Sequence, residues 1–255
     1  LTLLAVALCF TQAAVAQNGF DLNLVGTYYT GIFDEGAAEI SSYDPGSKRL
    51  FFTNADDNSV IILDLSDPSN LSEVTTINMD TYGGGVNSVD VYLGIVAVAV
   101  EADPKTDPGS VVFFDVDGNF LSSVQAGALP DKLAFSPDGS YVVVANEGEP
   151  SDDYTIDPEG SITIIDVTGD ISALSAAQVT TADFTSYNGQ EASLIASGVR
   201  IFGPDASAAQ DIEPEYVTIS PDGTTAYVTL QENNAIGVVD IASATVTDIY
   251  PLGYI

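Results

Sequence analysis

Beyond Asn18 apolar and polar positions alternate mostly with a period of two. Val, Ile, Tyr and Phe are interrupted by clusters of Gly, Pro, Asp and Asn. That pattern predicts strands joined by tight turns rather than helices, because successive side chains of a strand point to opposite faces. Four apolar strands end alike, at Ile62-Leu63-Asp64-Leu65, Phe113-Phe114-Asp115-Val116, Ile164-Ile165-Asp166-Val167 and Val238-Val239-Asp240-Ile241. Their aspartates are spaced 51, 51 and 74 residues apart, which reads as a repeat with one insertion. A period of roughly 40–50 residues is that of a four-stranded propeller blade.

A second repeated element fixes the order within each unit. Lys132–Gly139 precedes Tyr141–Ala145, and Tyr216–Gly223 precedes Ala226–Leu230, each a strand, a Ser-Pro-Asp-Gly turn and another strand. Pro presets φ at one turn position and Gly accepts a positive φ at another. Tyr43–Gly46 before Leu50–Thr53 is a looser copy, and Val89–Val100 a degenerate one. The expected fold is all-β, a β-propeller of four-stranded antiparallel blades. Four blades are present, over residues 26–82, 83–127, 128–182 and 211–255, with an insertion at 183–210 in which Gly189–Ser197 reads as a short helix. Such sheets bury both faces only by stacking around an axis. Rings of about six to eight blades are commoner than four, so the chain is expected to be truncated at its C terminus.

Residues 1–16 read as a secretory signal peptide, with an apolar run followed by Ala14-Val15-Ala16 at signal-peptidase spacing. The expected location is secreted: periplasmic, extracellular or cell surface. No other stretch is long and apolar enough to span a bilayer.

Composition narrows the chemistry. Five basic residues against 37 acidic ones give a net charge of −32, which repels phosphate backbones and excludes nucleic acid as a partner. The chain has no His, so Ser-His-Asp triads and His-ligated zinc are unavailable. Its only Cys, Cys9, lies in the apolar N-terminal run, so no intrachain disulfide can form.

With the four strands of a blade lettered a to d in chain order, strand alternation puts the b–c loops and the d–a connections of every blade on one face, opposite the Pro-Asp-Gly turns. Acidic and amide groups therefore converge on one rim. Ca²⁺ takes six to eight oxygen ligands, and the longest b–c loop offers Glu147, Glu149, Asp152, Asp153, Asp157 and Glu159 as the candidate set. Glu213, Glu215, Glu232, Asn233 and Asn234 are further candidate ligand contacts, and Lys132 with Arg200 forms a candidate cation pair for a phosphate. The four strand-end aspartates, one per repeat, are expected to cap turns rather than to act chemically.

The runs Leu129-Pro-Asp-Lys-Leu, Ala145-Asn-Glu-Gly-Glu-Pro, Asp157-Pro-Glu-Gly-Ser-Ile, Gly198-Val-Arg-Ile-Phe-Gly203, Asp211-Ile-Glu-Pro-Glu-Tyr and Leu230-Gln-Glu-Asn-Asn-Ala carry a resemblance to the choice-of-anchor I proteins. These include the mesenchyme-specific cell-surface glycoproteins and are similar to YVTN-type and phytase-like propellers. The resemblance runs from about Gly26 onward and implies a propeller fold and secretion. Many such proteins are labelled alkaline phosphatase-like, but no catalytic residues transfer position by position.

Two functions remain. One is a secreted or cell-surface binding module, Ca²⁺-assisted through its acidic loop face, that engages an extracellular protein or glycan. The other is a Ca²⁺-dependent alkaline phosphatase or phytase-like phosphoesterase acting on a phosphorylated small molecule, in which a metal-activated water replaces His.

Overall fold

A computed structural model describes residues 23–253. The signal-peptide reading of residues 1–16 lies outside the described residues. Sixteen strands form four separate antiparallel sheets, each a simple up-and-down meander. The first holds β1 (Ser41–Asp44), β2 (Arg49–Asn54), β3 (Ser59–Asp64) and β4 (Ser72–Asn78). The second holds β5 (Gly85–Tyr92), β6 (Ile95–Glu101), β7 (Pro108–Asp115) and β8 (Phe120–Ala128). β9 (Pro130–Phe135), β10 (Tyr141–Asn146), β11 (Ser161–Asp166) and β12 (Val179–Asp183) make the third. β13 (Pro214–Ile219), β14 (Thr225–Leu230), β15 (Ala235–Asp240) and β16 (Thr245–Pro251) make the fourth. The first strands of neighbouring sheets touch in sequence, β1 on β5, β5 on β9 and β9 on β13, as the inner strands of a propeller do.

The middle strands depart from period two for a physical reason. Val96–Val100 of β6 and Val142–Ala145 of β10 are fully buried at every position, because each lies between two neighbouring sheets and has no solvent face. One core joins Phe51, Val60 and Ile62 to Val96, Val98 and Phe114. A second joins Ala97, Val111 and Phe113 to Leu133, Val142 and Ile165. The third packs Val143, Ile162 and Ile164 against Val217, Val228, Leu230 and Val239. Each such Val, Leu, Ile or Phe side chain contributes about 1.5–3 kcal/mol by leaving water. These three cores lie between sheets; a small fourth one, Phe52, Ile61 and Leu63 with Tyr28 against it, covers the outer face of the first sheet.

The turns hold the strand pairs in register. Asp138 accepts from the Ser136 hydroxyl at 2.7 Å and the Ser140 N–H at 3.0 Å, with Gly139 at φ 72°. Asp222 repeats this with Ser220 and Thr224. The strand-end aspartates act likewise. Asp64 accepts from Ser66, Asp115 from Asp117 and Asn119, Asp166 from Thr168, and Asp240 from Ser243.

Between β12 and β13 the chain leaves the sheet. It forms α1 (Glu191–Ser197), ended by Gly198 in the left-handed region, and the short α2 (Ala208–Asp211), capped by Ser207. Phe184, Leu194, Val199, Ala208, Ala209 and Ile212 fasten this segment to the third core.

Candidate functional site

The site is assembled at the seam between the third and fourth sheets. β10 ends at the buried Asn146, whose side-chain amide donates to the Ser161 carbonyl and hydroxyl at 3.2 Å and to the Thr163 hydroxyl at 2.9 Å. The chain then turns: the N–H groups of Glu147 and Gly148 donate to the carbonyls of Leu129 and Ala128. The long loop closes at Gly160, where an added Cβ would stand 1.9 Å from the Ile212 carbonyl oxygen, so only glycine fits. This brings Glu147 and Glu149 against the segment leading into β13.

Asp211 and Asn233 organise the opposite side. The Asp211 carboxylate accepts from the backbone N–H groups of Phe202 and Gly203. The buried Asn233 donates to the carbonyls of Asp211 at 2.6 Å and Arg200 at 3.0 Å, while its Oδ1 accepts the Glu213 N–H at 3.1 Å. Glu147, Glu149, Glu213 and Glu232, together with Tyr154 and Phe202, line a small polar cavity of about 220 Å³.

These carboxyls crowd one another. Burial, reinforced by Glu149, Asp131, Glu213 and Glu215, pushes the Glu147 carboxyl up to about 8. Burial and the neighbouring Glu232 push Glu213 up to about 7. Glu215 also rises to about 7, from burial and a hydrogen bond with Glu232. Burial lifts Asp131 to about 6, against the pull of Lys132. A carboxyl taken from water beside like charges holds its proton. The only ion pair at the mouth among the described residues is Lys105 with Glu149.

The six loop carboxylates read from the sequence as one ligand set are divided. Glu147 and Glu149 face the cavity, whereas Asp152, Asp153 and Glu159 are exposed. Asp153 is engaged by Ser151 and by both donors of Thr155. Asp157 is half-buried beside Asp211, whose charge helps raise its affinity for a proton after burial has done so. Among the described residues no three acidic side chains stand arranged to hold a metal.

Of the other candidates, Glu213 and Glu232 join the cavity and Glu215 lies beside Glu232. Asn233 is buried scaffolding, and Asn234 is a turn residue at φ 54° whose amide donates to the Gly253 carbonyl. Lys132 and Arg200 share no partner. The Lys132 amine contacts the Ser88 hydroxyl and Leu133 carbonyl and lies 5.3 Å from the centre of the Tyr216 ring. Arg200 donates to the Gln231 carbonyl at 3.2 Å.

Sequence reasoning missed a cleft of about 480 Å³ next to the acidic cavity, lined by Ile195, Val199, Arg200, Ile201, Phe202, Gln231 and Glu232. Phe202 and Glu232 line both hollows. The signal for it was the run Gly198–Gly203, one of those that carry the resemblance, which supplies Val199, Arg200, Ile201 and Phe202 to its walls.

Sheets of this order, stacked through their inner strands, define a β-propeller, and solved propeller-type structures are similar to the chain. A hydrazine synthase chain of Kuenenia stuttgartiensis matches with a TM-score of 0.56 and 20% identity, over 88% of this chain and 52% of that one. A Lactobacillus plantarum protein matches at 0.55 and 16%, over 84% and 57%. A chain of a nidogen/laminin complex matches at 0.51 and 15%, over 86% and 65%. The chain thus spans between about half and two thirds of the chains it resembles. No curated protein matches it. The chain belongs to the choice-of-anchor I domain family, whose profile matches residues 39–255. Among the described residues no helix is long and apolar enough to cross a membrane.

Proposed function

We propose that the chain is the propeller of a secreted or cell-surface binding module, and that its acidic mouth takes up a cation, Ca²⁺ in the first place, in engaging an extracellular protein or glycan. The observation that carries this reading is Glu213. It is 8% exposed, lines the cavity, and among the described residues receives no hydrogen bond on its carboxylate. Beside it, Glu232 Oε2 is the cavity oxygen that is buried without a partner. Unpaired buried acceptors are costly, and an arriving cation relieves that cost.

Glu147, Glu149, Glu213 and Glu232 would supply hard oxygen ligands, with water completing the shell. The phosphoesterase alternative needs cations gathered at one point, and Lys132 and Arg200 are engaged separately. The nidogen/laminin complex is an example of a similar chain within a protein assembly, which accords with a binding role.

A calorimetric titration with Ca²⁺ tests the reading. Heat of binding and a rise in melting temperature are expected, both lost in the Glu213→Gln, Glu232→Gln double variant. Absence of heat and of any thermal shift in the unaltered protein overturns the role of Ca²⁺.

A further inference from the structure

The cavity and the cleft form one continuous feature with two chemistries. At one end four carboxylates line the cavity: Glu232 Oε2 is buried without a hydrogen-bond partner, and Glu213, 8% exposed, is held through its backbone N–H and not through its carboxylate. At the other end the walls are aliphatic and aromatic: Ile195 is 51% exposed and Phe202 57% exposed, next to Val199 and Ile201. Phe202 stays uncovered although the Asp211 and Asn233 network holds its backbone rigidly. A large apolar side chain fixed in place and left in water is the kind of anchor that binding surfaces use. Taken together, the hollows fall within the roughly 300–1,000 Å³ typical of ligand pockets.

Resting on the reading of the mouth as a cation-receiving site, we propose that mouth and cleft together bind a peptide segment presenting a lysine or arginine side chain beside an aliphatic or aromatic one. A divalent ion takes about six to eight oxygens around one point, so Glu147, Glu149, Glu213 and Glu232 would have to close on it together. An ammonium or guanidinium group instead brings several N–H donors on a flexible stem and satisfies separate acceptors. It enters the acidic cavity, donates to Glu213 and Glu232, and leaves its stem along Phe202. The neighbouring apolar side chain lies on Ile195 and Phe202. Arg200, held by the Gln231 carbonyl on the cleft wall, faces the peptide's carbonyl oxygens and so sets its direction. The net charge of −32 steers such a segment to the protein and repels acidic ones.

The probe is the tripeptide acetyl-Leu-Lys-Phe-amide, titrated by calorimetry into protein stripped of metal with EDTA and then dialysed free of the chelator, beside its Nε-acetyl-lysine analogue, a glucosamine trimer and Ca²⁺ alone. Saturable binding of the tripeptide is expected, at least about tenfold weaker for the acetylated analogue and about tenfold weaker in Glu213→Gln. Phe202→Ser removes an exposed side chain, so it folds normally and also weakens the tripeptide about tenfold. Added Ca²⁺ competes. If Ca²⁺ binds and the tripeptide does not, the peptide proposal fails while the cation reading stands. If neither binds, both fail. Tripeptide binding without Ca²⁺ binding supports the proposal and overturns the role of Ca²⁺. Binding of the glucosamine trimer alone, or tripeptide binding unchanged in both variants, overturns it.

Discussion

Asn233 holds Glu213 by its backbone: the Asn233 Oδ1 accepts the Glu213 N–H at 3.1 Å from a fully buried position. The same amide donates to the carbonyls of Asp211 and Arg200, so one side chain joins the b–c turn of the fourth sheet to the inserted segment and to the acidic mouth. Asn233→Ala would strand three backbone groups. An expected loss of about 2–4 kcal/mol in a urea melt follows, together with loss of binding at the mouth. A variant as stable as the parent would show the network to be incidental.

Stability should peak in mild acid. The carboxyls of Glu147, Glu213 and Glu215 lie at about 8, 7 and 7 in the folded chain against 4.5 in the unfolded one. Below 4.5 both states are protonated and the contribution is complete; as pH rises through 7 to 8 the folded carboxyls must ionise beside one another and it is lost. The groups facing them are Glu149, Glu232, Asp131, Asp157, Asp211 and Lys105. The turn aspartates work the other way. Hydrogen bonds lower Asp166 and Asp240, so their stabilisation is present above the usual carboxylate range and lost in stronger acid. Melting temperature is expected to fall from about pH 5 to pH 9. Glu147→Gln with Glu213→Gln flattens that slope; a slope unchanged in the double variant would refute the assignment.

Lys132 tunes its neighbour Asp131. It lowers the proton affinity of Asp131, which burial has raised to about 6. Lys132→Met therefore moves the Asp131 titration further upward, measurable by carbonyl-detected NMR. It also ends the contact with the Tyr216 ring across the seam.

The repeated aspartates are expected to be interchangeable in effect. Asp115→Ala removes acceptors for the N–H groups of Asp117 and Asn119. It lowers the melting temperature by about 2–4 °C without altering binding. A change in tripeptide or Ca²⁺ affinity would contradict a purely structural role.

The propeller was legible because it is written locally. Asp64, Asp115 and Asp166 recur at one spacing, and Ser136–Gly139 and Ser220–Gly223 name their turns directly. The acidic rim was legible only as a direction. Glu147 and Asp153 sit six residues apart in one loop, yet one turns inward and the other caps Thr155, a division set by the Gly160 crossing against Ile212. Asn233 looked like a ligand contact because amides in loops often are; its burial comes from α2 and the Arg200 segment, which are distant in sequence. The cleft around Phe202 escaped notice because its walls come from an insertion with no counterpart in the other repeats.

Glu147 directly follows a strand of the third sheet and Glu213 directly precedes the first strand of the fourth, and once both ionise, above about pH 8, their repulsion pushes against the seam that Val143, Ile164 and Val228 hold shut. An occupant bonded to both acts as a clasp across that seam. The load that parts these two sheets would then be set by what fills the mouth: bare and ionised, the joint is pushed open, and occupied, it is latched.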